Sequence, residues 1–329
     1  MAPIAPPLRA SLPGLDLVDP VLEESIRRGL GAVEDLLRAS IRSNYPFVTE
    51  TSRHLVEAGG KRFRPLVVLL ASGFGDPQAP AVVPAAVAIE LTHLSTLYHD
   101  DVMDEAVLRR GAMSANARWT NSIAILTGDF LFARASEITA DLGTEATRIL
   151  AQTIAVLCEG QIRETVGPES GDPIEHYRQV VAEKTGSLIA TSGRLGALLS
   201  GASPAVVEAL TSYGDRIGAA FQLSDDLLDI TSPSVESGKN PGTDLREGVR
   251  TLPVLLAEQD GLVLPDDLSD DAVLASALAS LRGSSAIERA RKELVAEAAG
   301  ARAQLDGLPD VPARGALEVL CDYVVTRTG

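Results

Sequence analysis

Two stretches of the chain, "LYHDDVMDEAVLRRG" at 97–111 and "AAFQLSDDLLDI" at 219–230, carry the same acidic spacing after an apolar helical run. Asp100, Asp101 and Asp104 form one set, and Asp225, Asp226 and Asp229 the other. On an α-helix, residues four apart lie about 40° apart around the axis and about 6 Å along it, so Asp100 and Asp104 share a face. Carboxylates this dense repel one another, and the C-terminal end of a helix disfavours them further through its dipole. A solvated charged face is the usual home for such a run. Here the preceding turns are apolar, with Leu91, Leu94, Leu97 and Tyr98 before the first set. Something of opposite charge must neutralise these acids. If the helices face each other, the result is a cavity lined by oxygen. Mg²⁺ suits such a site, because it takes few protein ligands and completes its octahedron with water and phosphate oxygens.

The rest of the chain is consistent with helices throughout. Apolar residues recur at three and four over 21–41, 85–105, 114–142, 144–167, 174–201 and 204–231. Gly186 weakens the middle of the fifth run. Residues 232–248, "SPSVESGKNPGTDLREG", read as a loop, and two or three shorter helices follow from Leu252. No convincing alternating strand, strong internal repeat or dividing linker is evident. The expectation is an all-α fold, a single large bundle of about ten or more helices around a central cavity, spanning 21–329. The proline-rich residues 1–20 are expected to form a flexible N-terminal arm.

Composition supports this and excludes several functions. The chain is 45% hydrophobic but only 4% aromatic, which favours helices over a β-sandwich. A net charge of −16 argues against nucleic-acid binding. The two cysteines, Cys158 and Cys321, provide neither a disulfide framework nor a metal knuckle, so a reducing cytoplasm is expected. The N-terminus does not read as a signal peptide. No apolar stretch approaches the roughly 20 residues of a membrane span.

Positive charge is distributed selectively. The 29 basic residues include only four lysines, and Lys61, Lys184 and Lys239 each lie within two residues of a glycine. A compact ammonium serves well as a point charge for phosphate. "GGKRFRP" (59–65) adds Arg62 and Arg64, and Arg109 and Arg110 follow the first acids. An acidic protein with a few cations gathered at such motifs reads as built for a polyanion held through metals.

These motifs resemble those of the trans-isoprenyl (polyprenyl) diphosphate synthase family, from about Gly59 to Pro253. Its "GGKRxRP" is Gly59–Pro65, its "HDDxxD" is His99–Asp104, and "GQ" and "KT" are Gly160–Gln161 and Lys184–Thr185. Its "FQxxDDxLD" is Phe221–Asp229, "GKxxGxDL" is Gly238–Leu245, and "TLP" is Thr251–Pro253. Residues 90–125 resemble medium- and long-chain synthases of actinobacteria that make quinone side chains. The chain departs from many relatives at Val249, where they carry lysine.

The resemblance implies a Mg²⁺-dependent condensation of an allylic prenyl diphosphate with isopentenyl diphosphate. Asp100, Asp104 and Asp225 would hold about three Mg²⁺ ions, with Asp101 and Asp226 beside them. Arg109, Lys184 and Lys239 would bind the allylic diphosphate. Lys61, Arg64, His93 and Arg110 would bind isopentenyl diphosphate. Thr185 and Gln222 would turn negative dipole ends towards the allylic cation. A homodimer is implied, with transient membrane contact for product release. In the family, a bulky residue four or five positions before the first aspartate stops growth early. Here Thr96, Ser95 and Thr92 are small, so a product of roughly C30 to C50 is expected, with Phe130 or Phe132 as a deeper floor. A short-chain farnesyl or geranylgeranyl synthase is the alternative. A terpene cyclase would replace the second aspartate set, and a non-catalytic subunit would have lost acids or lysines.

Overall fold

The computed structural model describes residues 19–168, 170–232 and 241–328. Lys239 and most of the proposed N-terminal arm lie outside them. Its α-helices run α1 (Pro20–Ser40), α2 (Pro46–Glu57), α3 (Phe63–Ser72) and α4 (Val82–Met103), then a short hairpin of β1 (Leu108–Arg109) and β2 (Ala112–Met113). There follow α5 (Ala115–Arg118), α6 (Asn121–Leu142), α7 (Thr144–Val166), α8 (Pro173–Val181), α9 (Ser187–Leu199) and α10 (Pro204–Thr231). The chain ends with α11 (Thr243–Arg246), α12 (Leu252–Gln259), α13 (Asp271–Arg282), α14 (Ala286–Ala303) and α15 (Pro312–Thr326).

The helix α4 is the central element. Five consecutive residues, Ala85 to Ile89, are buried, as in a helix apolar on all sides and surrounded by others. It packs between α6 and α3; α3 packs on α9, α9 on α10, and α10 on α14. The core is continuous through these helices, with Leu66, Ile89, Leu94, Leu195, Ile217 and Leu227 all buried. Asp19 caps α1, its carboxylate accepting from the backbone of Val21 and Leu22 at 2.8 Å. No described helix is long and apolar enough to cross a membrane.

The expected helices are present, but four follow from Leu252 instead of two or three, the short α11 lies inside the expected loop 232–248, and there are three further local departures. The run at 114–142 is broken at Thr120, whose hydroxyl caps α6 by accepting from Ile123 at 3.2 Å. The run at 174–201 is continuous but contains a π-turn at Ala182–Gly186. The one hairpin reverses at Arg110 and Gly111, both at positive φ (55° and 76°), the backbone of a tight two-residue turn. Helices α2 and α3, either side of "GGKRFRP", were not foreseen.

Candidate active site

The two aspartate sets occupy the C-terminal portions of α4 and α10. Burial raises Asp100 to about 6, with Asp104 adding to the rise and Lys184 and Arg109 opposing it. Asp101 is fully buried; its Oδ1 accepts from Arg109 Nε at 2.5 Å, while its Oδ2 has no hydrogen-bond partner. Asp104 is more exposed and lies 3.8 Å from Arg109.

The second set divides its work differently. Asp225 Oδ1 lies 2.9 Å from Arg327 Nη1 and 3.6 Å from Lys61 Nζ. Asp226 is buried and both its oxygens are engaged: Gln222 Nε2 donates to Oδ1 at 2.8 Å and the Tyr177 hydroxyl to Oδ2. Burial lifts Asp226 to about 7 against those two hydrogen bonds, and Asp225 and Asp229 add to the rise. Asp229 accepts from the backbone of Thr243 and Asp244 at 3.2 Å, anchoring the start of α11. Asp225 is therefore the acid of this set with neither oxygen committed to a backbone or neutral donor.

The π-turn links the two sets. Lys184 Nζ lies 2.5 Å from Glu164. Burial opposes its charge, but Glu164, Asp100 and Asp104 raise its pKa above the ordinary value. The next residue, Thr185, donates to Gln222 Oε1 at 3.0 Å, and Gln222 holds Asp226. Lys184 thus interacts with the acids of α4 while Thr185 bonds to α10. Gly160 permits this arrangement, since a Cβ there would sit 2.8 Å from Glu183 Cβ and 2.9 Å from the Lys184 nitrogen. A π-turn is a recurrent device at functional sites.

A cationic cluster lies alongside. His93 is driven well below its ordinary pKa by burial and then by Arg64, Arg110, Arg62 and Arg109. Arg64 is lowered to about 10, chiefly by burial, and its Nε has no hydrogen-bond partner. Arg62, at a left-handed φ of 50°, is tied down by Glu34 and by Glu90 at 2.8 Å. The hairpin separates its two arginines: Arg109 reaches Asp101, whereas Arg110 donates to the carbonyls of Leu55 (3.2 Å) and Gly59. Arg64 and Arg110 are influenced by the same buried Glu90, and among the described residues neither is within ion-pair distance of a carboxylate, so the cluster suits an anion.

The donor chemistry fits Mg²⁺. The candidate ligands are carboxylates, and Asp101 leaves one buried oxygen unsatisfied. No three His, Cys, Asp or Glu side chains among the described residues converge into a complete metal cage. The fit is to an ion shared with a phosphate-bearing ligand, not to one enclosed by protein alone.

Of the length-setting candidates, Thr92 and Ser95 are buried on α4 and Thr96 is half-buried. Thr92 and Thr96 turn their hydroxyls onto their own helix, donating to Ala88 (2.9 Å) and His93 (2.8 Å) carbonyls. Phe130 packs against the core; Phe132 is two residues on and about 200° further around α6. Two cavities, of 750 Å³ beside α2 and 430 Å³ between α8, α10 and α14, are not lined by Asp100, Asp104 or Asp225. Sequence reasoning missed Glu90, Glu164, Tyr177 and Arg327. Only Glu90 carried a signal, as a lone acid inside "AAVAIELTHL".

The polyprenyl synthetase family model matches residues 45–273. The chain is 50% identical to the nonaprenyl diphosphate synthase of Mycobacterium tuberculosis, over 96% of this chain and 97% of that protein. The crystal structure of geranylgeranyl pyrophosphate synthase from Corynebacterium glutamicum, complexed with calcium and isoprenyl diphosphate, superposes with a TM-score of 0.85. It is 45% identical, and the match covers 95% of this chain and 99% of that one. A decaprenyl diphosphate synthase from Rhodobacter capsulatus gives 0.84 at 36% identity, covering 94% and 99%. The chain belongs to the polyprenyl synthetase family and is a trans-prenyltransferase.

Proposed function

We propose that the protein condenses an allylic prenyl diphosphate with isopentenyl diphosphate, in trans and with Mg²⁺, to give a medium- or long-chain polyprenyl diphosphate of roughly C30 to C50. The observation that supports this reading is the Lys184–Thr185 turn, with Lys184 paired to Glu164 and within the electrostatic influence of Asp100 and Asp104, and Thr185 bonded to Gln222. Asp100 and Asp104 on one wall and Asp225 on the other would hold the ions, about three per site. When bound, Mg²⁺ would neutralise charge growing on the leaving diphosphate.

The protein's own groups do the rest. Lys184 and Arg109 bind the allylic diphosphate and stabilise its charge as the C–O bond breaks. Lys239 belongs to this group as an expectation outside the described residues. Arg64, Arg110, His93 and Lys61 hold the second diphosphate and orient its double bond. The bonded Thr185 and Gln222 present oxygen to the allylic cation. The isopentenyl double bond attacks that cation to form the new C–C bond, and a proton is then lost to the departing diphosphate, so no enzyme nucleophile is required. Small residues at Thr92, Ser95 and Thr96 leave room for a growing chain. The nonaprenyl and decaprenyl relatives favour a long product, and the geranylgeranyl relative keeps a shorter one as the alternative. The same reading includes one catalytic unit over 21–329, a cytoplasmic homodimer, and brief membrane contact as product leaves.

Asp100→Ala and Asp225→Ala test the assignment. Each should lower steady-state condensation at saturating Mg²⁺ by about 10³-fold or more, with helical circular dichroism unchanged. Activity within tenfold of wild type in either folded variant would remove that aspartate from the mechanism.

A further inference from the structure

Arg327 follows the last helix, about a hundred residues beyond the second aspartate set, and reaches that set from the far end of the sequence. Its side chain is only 9% exposed. Nε donates to Ser224 Oγ at 2.6 Å and Nη2 to the Phe221 carbonyl at 2.8 Å, and the guanidinium lies 4.2 Å from the centroid of the Phe221 ring. Two of its three nitrogens and its flat face are therefore fixed to α10. The third, Nη1, lies 2.9 Å from Asp225 Oδ1 without hydrogen-bond alignment, and makes no hydrogen bond to any described group. The contact is one of charge. Lys61 approaches the same oxygen at 3.6 Å, its ammonium 5.2 Å from the same ring.

We infer that Arg327 is a positioning cation that makes metal binding at Asp225 conditional on diphosphate. The inference rests on the reading of Asp225 as a metal ligand. A guanidinium anchored by two other hydrogen bonds cannot easily withdraw when a divalent ion approaches Oδ1, and with Lys61 three cations then share one carboxylate. A metal arriving alone is opposed. A metal arriving with diphosphate brings compensating negative charge, which the unaligned Nη1 can also meet. The ion and the anion therefore bind cooperatively, and the site is protected from filling with metal in the absence of substrate.

The test measures Mn²⁺ binding to the full-length protein by calorimetry, with and without inorganic diphosphate. Arg327→Met keeps bulk against Phe221 and removes the charge. It should bind Mn²⁺ alone about 5-fold or more tighter than wild type, and diphosphate should then strengthen metal binding by a correspondingly smaller factor. Arg327→Lys restores the charge and should return both values towards wild type. A purely structural role would weaken metal binding with and without diphosphate alike. Asp225→Asn separates the two claims. If it weakens Mn²⁺ binding while Arg327→Met leaves the affinity for metal alone unchanged or lower, the role of Arg327 is overturned and the ligand assignment stands. If Asp225→Asn leaves Mn²⁺ binding unchanged with and without diphosphate, Asp225 is not a ligand and both fall.

Discussion

Three aspartates within five residues of α10 do three different things, because each projects in its own direction. Asp225 faces cations, Asp226 is held by neutral donors, and Asp229 anchors a backbone turn. Their shared spacing with the α4 set therefore does not mean shared roles, and residue identity alone could not separate them. His93 makes a related point about environment. It is packed among Arg64, Arg110, Arg62 and Arg109, so burial and four positive neighbours keep it neutral in the fold. An unfolded histidine titrates near 6.5. Below that pH the unfolded chain gains a proton that the folded chain resists, so the stability from neutral His93 is complete above about 6.5 and is lost as pH falls. Asp100 and Asp226, whose folded values are raised to about 6 and about 7, act in the opposite sense, since the fold binds their protons more readily. Comparison of variants isolates the histidine. His93→Gln should narrow the loss of melting temperature between pH 7 and pH 5 relative to wild type. An identical pH slope in the two proteins would mean that His93 takes up its proton in the fold as readily as in the unfolded chain.

Secondary elements determine how these residues meet. The hairpin after α4 is two residues a strand, yet its turn at Arg110–Gly111 sends neighbouring arginines to different partners. The π-turn does the same between α8 and α9, pairing Lys184 with Glu164 of α7 and Thr185 with Gln222 of α10. The helix α4 carries the face proposed to set product length, where Ser95 is 2% exposed. Ser95→Phe should shift the product towards C15 or C20 while catalysis continues, because the phosphate-binding groups lie beyond the obstruction. Mass analysis of the dephosphorylated products would decide it. Unchanged length in an active variant would show that Ser95 is small only to let helices pack. The long helices, the all-α class and both acid sets were legible in the sequence, since apolar periodicity and a repeated motif are local signals. The break at Thr120 and the π-turn were not: the first is a local threonine cap inside a run whose apolar periodicity continues across it, and the second is stabilised by partners distant in sequence, Glu164 and Gln222. Tyr177 and Arg327 were invisible for a related reason: Tyr177 meets Asp226 across 49 residues and Arg327 meets Asp225 across about a hundred, with no motif around either.

At the scale of the whole molecule, the fold solves the problem set by its two acid runs. It buries α4 and α10 for most of their length and brings residues from near both ends of the chain to balance the acids. Lys61 comes from the turn before α3 and Arg327 from beyond α15, and both meet at Asp225 and the ring of Phe221. Phe221 in turn stacks on Phe63 at 4.4 Å, joining "GGKRFRP" to the second aspartate set. The central claim is that this assembly joins two diphosphate substrates, elongating one with the other. The most direct measurement incubates the purified protein and Mg²⁺ with an allylic diphosphate, with and without isopentenyl diphosphate, and follows diphosphate release and product mass. Release is expected only when both substrates are present, with products lengthened by whole five-carbon units to roughly C30 to C50. Diphosphate release from the allylic substrate alone, with a cyclised hydrocarbon as product, would contradict it.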